Sequence, residues 1–249
     1  MARKTAMIFA AGLGTRLRPL TDTMPKALVR VAGEPLLAHV IRKLVRSGYG
    51  HLVVNVHHFP DQIRKYLSEN DFGVPIDISD ESGFLLETGG AIRHAAPLLK
   101  GAGRFLVHNV DIISDLDLNW FERQWRPDAL ATLLVSERKT SRYLLFDDDL
   151  RLVGWTNVST GEVRSPYPSL DVSACRRLAF AGIHGMSSKI LDVMEDFPER
   201  FPIIDFYLQV CDKYPVYGAL PEHLGLVDVG KFDSLAEAER LAIAILQDE

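Results

Sequence analysis

Short apolar runs alternate along this chain with stretches in which apolar residues recur at helical spacing. The runs Ala6-Met7-Ile8-Phe9-Ala10, Leu52-Val53-Val54-Asn55-Val56 and Phe105-Leu106-Val107-His108-Asn109-Val110 have little polar interruption. A strand that reads this way is covered on both faces, as strands of a parallel sheet are. Between the first two runs, Gly33 and Pro35 open a helix in which Leu36, Leu37, Val40, Ile41, Leu44 and Val45 share a face, and Gly48 ends it. A second helix starts at Pro60 and turns Ile63, Tyr66 and Leu67 inward, a short strand follows at 74–79, a loop at 81–90, and a helix from about Ala91 to Leu99-Lys100-Gly101. Strand and helix in alternation imply parallel pairing and a layered α/β fold.

From Leu130 the pattern changes. The strand 130–135 is followed by a hairpin, 143–146 with 152–155, turning on Asp147-Asp148-Asp149. The polar stretch 156–177, with Pro166 and Pro168, reads as an excursion from the core before a strand returns at 178–184. Ser187 or Ser188 caps a helix through Ile190, Leu191 and Val193-Met194, and another helix runs through Ile204, Phe206, Tyr207 and Leu208. Strands at 216–219 and 226–230 precede a last helix, opened by a capping box of Ser234 and Glu237, with Leu235, Ala238, Leu241, Ala242 and Ile245 on its apolar face. No linker, internal repeat or low-complexity segment divides the chain.

Composition narrows the function classes. With 249 residues and 47% apolar positions, the chain can bury a substantial core, and its net charge of -5 argues against general nucleic-acid binding. Cys175 and Cys211 have neither metal-ligand nor redox spacing, so free thiols in a reducing compartment are expected. Arg3-Lys4 and the apolar run after them are cut short by Gly12, Gly14 and Arg16, below the length of a signal core or a membrane span. A soluble cytoplasmic protein without a membrane partner is the expectation.

Candidate chemistry concentrates where the first strand ends. Ala10-Ala11-Gly12-Leu13-Gly14-Thr15-Arg16-Leu17-Arg18, closed by Pro25-Lys26, puts two glycines, a hydroxyl and several cations at one strand end. Glycines let the backbone N–H groups approach an anion, and Arg16 and Lys26 supply charge, so the loop reads as a phosphate site rather than as a solvated turn. The strand ending in Asn109-Val110-Asp111 brings a carboxylate to the same sheet edge, with Asp115 and Asp117 left as helix caps. His57-His58 and His108 lack the helical spacing of a zinc site and read as structural or substrate-lining, and Trp125, Tyr143 and Trp155 as packing residues.

Taken together, the Gly12-Leu13-Gly14-Thr15-Arg16 loop with Pro25-Lys26, Glu87-Thr88-Gly89-Gly90-Ala91, Asn109-Val110-Asp111, Phe180-Ala181-Gly182-Ile183 and Val227-Asp228-Val229-Gly230 resemble, in order, the sugar-1-phosphate nucleotidylyltransferases. The resemblance implies a Rossmann-like three-layer sandwich with a mainly parallel mixed sheet and a smaller β-rich sugar-binding subregion, the excursion at about 137–182, within one nucleotidyltransferase domain spanning 1–249. It implies an enzyme that makes an NDP-sugar and pyrophosphate from a nucleoside triphosphate and a sugar 1-phosphate, as a monomer or small homo-oligomer. The turn and the compact size are most similar to the branch that joins UTP to N-acetylmuramate 1-phosphate in cell-wall recycling. The alternatives are GTP-using heptose- or mannose-1-phosphate guanylyltransferases and, in another class, a non-catalytic nucleotide-sugar sensor. A dinucleotide-binding Rossmann protein fits less well, because Leu17 stands where its third glycine belongs.

By the same resemblance Arg16, Lys26 and Asp111 are catalytic, and Ala11, Gly12, Gly14 and Thr15 hold the triphosphate. Glu87, Thr88, Gly89 and Gly90 line the nucleoside, the glycines admitting a flat base. Asn109 contacts the ribose or sugar, and Gly182 makes room for the sugar or is a bulge glycine. Asp111 and Asp228 share a Mg²⁺. Two family features are missing. The Glu-Lys-Pro lysine that binds the sugar phosphate is echoed only by 161–166, leaving Arg138 or Arg142 as candidates, and the base-reading glutamine is replaced in its neighbourhood by Glu81-Ser82-Gly83.

Overall fold

The computed structural model describes residues 3–247. Strand β1 (Lys4–Phe9) leads through a long loop to a small hairpin of β2 (Arg30–Val31) and β3 (Glu34–Pro35), then to α1 (Leu36–Arg46), β4 (Tyr49–Val56), α2 (Pro60–Glu69) and β5 (Ile76–Asp80). Helices α3 (Glu87–His94) and α4 (Ala96–Leu99) precede β6 (Arg104–Asn109), the short β7 (Ile112–Ser114) and α5 (Leu118–Arg123). The second half runs β8 (Ala131–Ser136), β9 (Arg142–Phe146), β10 (Leu152–Asn157), β11 (Glu162–Arg164), β12 (Arg176–Ser187), α6 (Lys189–Val193), α7 (Ile203–Val210), β13 (Val216–Ala219), β14 (Leu226–Asp228) and α8 (Phe232–Gln247).

β1 lies between β4 and β6, parallel to both, and β4 pairs in parallel with β5. The chain therefore steps outward from β1 to β4 and β5, then crosses back to place β6 on the other side of β1. Such a reversal leaves a crevice at the carboxyl ends of the strands, where open α/β sheets bind ligands. The long β12 pairs antiparallel with β6, β8 and β9, and β10 and β11 extend the sheet beyond β9. The expected three-layer α/β sandwich is present, with its β-rich subregion at the far edge.

The uninterrupted apolar runs are explained by two cores. Ala6 and Ile8 of β1, Leu52 and Val54 of β4 and Leu106 of β6 pack on one face with α1 and α8; Met7, Val53, Phe105 and Val107 pack on the other with α3 and α7. Alternate side chains point to opposite faces, and neither face meets water. Cys175 and Cys211 are free thiols, and among the described residues no helix is long and apolar enough to cross a membrane.

Two local readings change, and a third holds. Helix α3 begins at Glu87, not near Ala91, because the Gly89 and Gly90 N–H groups both donate to the Phe201 carbonyl, 2.8 and 3.2 Å away, and this tertiary contact overrides the poor helix propensity of two glycines. Helix α8 begins at Phe232; the Ser234 hydroxyl turns back to donate to the Lys231 carbonyl at 2.7 Å, so Ser234 lies inside the first turn and the capping box with Glu237 is not formed. The stretch 156–177 leaves the core as expected: beyond Thr156 none of its residues is buried, β11 pairs with β10 at the edge of the sheet, and Tyr167 touches the second core from its margin.

Candidate active site

A cleft of about 550 Å³ opens at the carboxyl ends of the parallel strands, where Phe9 and Asn109 end β1 and β6 and Asn55 is the last residue but one of β4. Its floor is the glycine loop, with Ala11, Gly12, Gly14, Thr15 and Arg16 all in the wall. The loop is held from below. Leu17 is fully buried, the Thr21 hydroxyl donates to the Gly14 carbonyl at 2.8 Å, and the Ala10 N–H donates to Asn55 Oδ1 at 2.7 Å. Gly14 sits at φ +64, and a Cβ there would come within 2.8 Å of the Thr21 methyl, so the turn requires glycine. Around Gly12 nothing lies within 4 Å. Packing does not demand that glycine; its effect is to keep space open over the backbone.

On one side of the loop Lys26, only 7% exposed, bonds through Nζ to Asp111 Oδ2. Asp111 reaches this place because β6 ends two residues before it, and Asp228 because β14 pairs antiparallel with β7, setting Asp228 opposite Ile112. The Val229 N–H also donates to the Asp111 carbonyl at 2.8 Å, so the two carboxylate-bearing segments are stitched together. Asp228 as a residue remains solvent-accessible, yet its carboxyl is crowded: desolvation first and the Asp111 charge second raise its pKa, against the pull of Lys26, Arg16 and Arg138. Gly230 completes the corner. A Cβ at that position would lie 2.8 Å from both Arg16 Nη2 and Asp228 Oδ1, so a glycine lets a cation and a carboxylate meet over bare backbone. Three segments remote in sequence, the loop after β1, the end of β6 and the end of β14, thus bring Arg16, Lys26, Asp111 and Asp228 to one place.

The opposite wall is polar and buried. Asn55 and Glu81, each 3% exposed, are bonded through Nδ2 and Oε1 at 2.7 Å, and burial raises the Glu81 pKa despite the bonds from Asn55 and the Leu86 N–H. Sequence reasoning gave Asn55 no role, named Glu81 only as lying where the base-reading glutamine is missing, and quoted Gly230 without a role; the available signal for Asn55 was a polar residue near the end of an apolar strand, the same signal that marked Asn109. Glu87 and Thr88 line the cleft beside them. The Arg200 guanidinium holds Glu87 Oε1 at 2.8 and 2.9 Å, and the Thr88 hydroxyl accepts from the Ile203 N–H at 2.9 Å.

Several expected site residues lie elsewhere. Gly89 and Gly90 are buried away from the cleft: a Cβ on Gly89 would strike the Phe201 ring at 2.2 Å, and one on Gly90 the Glu199 carbonyl at 2.3 Å. These glycines permit a helix to press on a loop and do not face a base. Gly182, at φ +77 in a stretch of β12 where the register with β8 shifts, packs against Asn109, so it is the bulge glycine. Arg142 is exposed in β9, opposite Asn157, whereas Arg138, just past β8, donates to the Phe180 carbonyl at 3.1 Å. His57 Nδ1 bonds the Glu81 carbonyl at 2.6 Å, His108 is wholly buried, and no cluster of three or more His, Cys, Asp or Glu suited to a metal occurs among the described residues.

Comparison with known proteins places this geometry. The model of the family described as nucleotidyl transferase matches residues 5–145. Over 251 aligned residues, covering 98% of this chain and 99% of the relative, the chain is 35% identical to N-acetylmuramate alpha-1-phosphate uridylyltransferase of Caulobacter vibrioides. The chain belongs to the nucleotidyl transferase family. This nucleotidyl transferase is also 39% identical, over 112 residues, to mannose-1-phosphate guanyltransferase of Gibberella zeae, a match covering 44% of this chain and 30% of that protein. In fold it is similar to the inositol-1-phosphate CTP transferase of T. maritima, with a TM-score of 0.78 at 18% identity over 98% of this chain and 97% of that one.

Proposed function

We propose that this nucleotidyl transferase joins UTP to N-acetylmuramate 1-phosphate, forming the UDP-sugar and pyrophosphate. The convergence of Arg16, Lys26, Asp111 and Asp228 on the glycine-loop corner carries the transfer reaction. The relationship to the Caulobacter uridylyltransferase, which spans both chains, favours the uridylyl and N-acetylmuramate assignment over a guanylyl one, for which the similarity covers less than half the chain. Such substrates, and two unpaired thiols, suit the cytoplasm.

The reaction forms a bond between a sugar-phosphate oxygen and the α-phosphorus and breaks the α–β bridge, the electron pair leaving with pyrophosphate. It needs no proton removed from the attacking oxygen, so positioning and positive charge carry the catalysis. The loop N–H groups and Arg16 bind the β- and γ-phosphates and stabilise the departing charge. Lys26 neutralises Asp111 and presents its ammonium at the α-phosphate side. Asn55 fixes the start of the loop through Ala10, while Glu81, Glu87 and Thr88 form the nucleoside wall.

The two carboxylates fit a hard divalent cation. Burial first and the neighbouring Asp111 charge second disfavour the ionised form of Asp228, and a Mg²⁺ held by Asp111 and Asp228 would relieve both, filling its other positions with water and phosphate oxygens, as it prefers. When bound it supplies positive charge to the reacting phosphates.

The test is pyrophosphate release from UTP, GTP, CTP, ATP and dTTP against a panel of sugar 1-phosphates, with UTP and N-acetylmuramate 1-phosphate expected to lead. A clear preference for GTP with mannose or heptose 1-phosphate would overturn the assignment. Asp111→Asn keeps an acceptor for Lys26 and should leave the fold intact while lowering turnover by about a hundredfold or more; undiminished release would remove Asp111 from the mechanism.

A further inference from the structure

Asn55 holds the start of the glycine loop, and the geometry around it shows what holds Asn55. The Ala10 N–H can only donate, so the amide oxygen must face it, at 2.7 Å, and the Asn55 NH₂ group is then committed to the far side. There it meets Glu81 Oε1 at 2.7 Å, and the second carboxyl oxygen accepts from the Leu86 N–H at 3.4 Å. The backbone of Glu81 is pinned as well. Its N–H donates to the Val56 carbonyl at 2.8 Å, and its carbonyl accepts from His57 Nδ1 at 2.6 Å and from the Phe84 N–H at 3.1 Å. A relay of hydrogen bonds therefore runs from Ala10, where the loop begins, through β4, to Leu86, the residue before Glu87 and Thr88 of α3. It ties the two walls of the cleft together.

The relay tolerates one polarity. Asn55 and Glu81 are each 3% exposed, so removing an acceptor from either leaves a donor unpaired and out of reach of water. Glu81 lines the cleft, which makes base recognition the competing role, yet both of its carboxyl oxygens are engaged by protein donors. Ala10 directly precedes Ala11 and Gly12, so a turned Asn55 amide or a displaced Glu81 shifts the loop N–H groups relative to the nucleoside wall. Misplacement by about 1 Å costs on the order of a hundredfold in a reaction that depends on positioning.

We infer that Glu81 is a positioning residue for the phosphate loop, acting through Asn55, and does not read the base. The inference takes the loop's ligand from the nucleotidyl-transfer reading above, whereas the relay stands apart from that reading.

The experiment exchanges donor and acceptor within the pair. N55D opposes two carboxyl groups, while E81Q alone keeps an oxygen toward Asn55 and turns its NH₂ group toward the Leu86 N–H. In N55D/E81Q the order is reversed: the carboxylate at position 55 accepts from Ala10 and from the amide at position 81, whose oxygen accepts from Leu86, so every bond and the net charge are restored. In steady-state pyrophosphate release, N55D should raise KM for UTP about tenfold or more with KM for the sugar 1-phosphate within about twofold, and E81Q should raise it less than about threefold. The double variant should return to within about threefold of the unmodified enzyme. N55A, which adds no charge, should show the same rise, without recovery when E81Q is added. Hydrogen exchange of the Ala10 amide, followed by NMR without substrate, should quicken in N55D and N55A and slow again in N55D/E81Q. An unchanged KM for UTP in N55D, equal rises in both KM values, a double variant no better than N55D, or an E81Q that shifts the preference for UTP over GTP about tenfold would each overturn the role of Glu81. If no pair of substrates releases pyrophosphate, the transfer reading falls, and exchange of the Ala10 amide still decides whether Glu81 holds the loop.

Discussion

Gly89→Ala separates two explanations of the Gly89-Gly90 pair. In an exposed helix interior, alanine in place of glycine stabilises by about 1 kcal/mol. Here the added Cβ would stand 2.2 and 2.3 Å from two Phe201 ring carbons and 2.9 Å from the Phe201 carbonyl oxygen. The ring has little room to retreat, because it packs against Phe197 and Phe206 at centroid distances of 5.3 and 6.0 Å. Overpacking of this kind costs about 3 kcal/mol, and separating helix and loop weakens the two bonds to the Phe201 carbonyl at about 1 kcal/mol each. Against these the propensity gain is small, leaving a net loss of about 2–4 kcal/mol, or a fall in Tm of roughly 5–15 °C for a chain of this size. Urea unfolding of Gly89→Ala, Phe201→Ala and the double variant measures it. The double variant should lose less than the sum of the singles, since Phe201→Ala removes the ring that the new methyl strikes. If Gly89→Ala is neutral or stabilising yet raises KM for the nucleotide, the glycine faces the base and the packing explanation is wrong.

Two further outcomes follow. Gly230→Ala places a methyl 2.8 Å from both Arg16 Nη2 and Asp228 Oδ1; because these are mobile side-chain ends the fold should survive within about 1 kcal/mol, while kcat falls about tenfold or more, and full activity would show that the corner is not used. Stability should fall on mild acidification, because burial depresses the His108 imidazole to about 4 and that of His184 to about 3, so the unfolded chain takes up protons first. This contribution is complete above the ordinary histidine value of about 6.5 and declines below it by up to about 1.4 kcal/mol per pH unit for each ring. Glu81, whose pKa burial raises, acts in the opposite direction, so Glu81→Gln should steepen the loss; a urea midpoint flat between about pH 7 and pH 5 in both proteins would contradict these assignments.

What the amino-acid order made legible was whatever is decided locally. Runs such as Ala6 to Ala10 cannot face water on either side, so they announce central strands, and glycines, a hydroxyl and cations together at the end of one strand announce an anion site. Asp111 was legible because it ends such a strand. The start of α3 was not, because two glycines argue against a helix and the group that stabilises it, the Phe201 carbonyl, lies far along the chain. Gly182 carried two readings until its φ of +77 and its contact with Asn109 decided for a bulge. Gly230 belonged to a motif singled out for Asp228, and nothing beside it in sequence reveals that Arg16 comes to rest there.

Glu87 shows how these non-local contacts shape the site. It stands at φ +62, a conformation that costs a non-glycine residue about 1 kcal/mol or more and that a glycine would adopt without strain. Arg200 holds its carboxylate at 2.8 Å, but with half of the arginine side chain exposed, solvent screening leaves that pair too weak to justify the residue on stability grounds. Backbone economy therefore argues for glycine, and the ion pair does not outweigh it. What a glycine could not supply is the carboxylate on the cleft wall beside Thr88, with one oxygen steadied by Arg200 from outside the cleft. The same loop that carries Arg200 also fixes α3 through the Phe201 carbonyl, so the second half of the chain determines the shape of the cleft wall at Glu87 and Thr88.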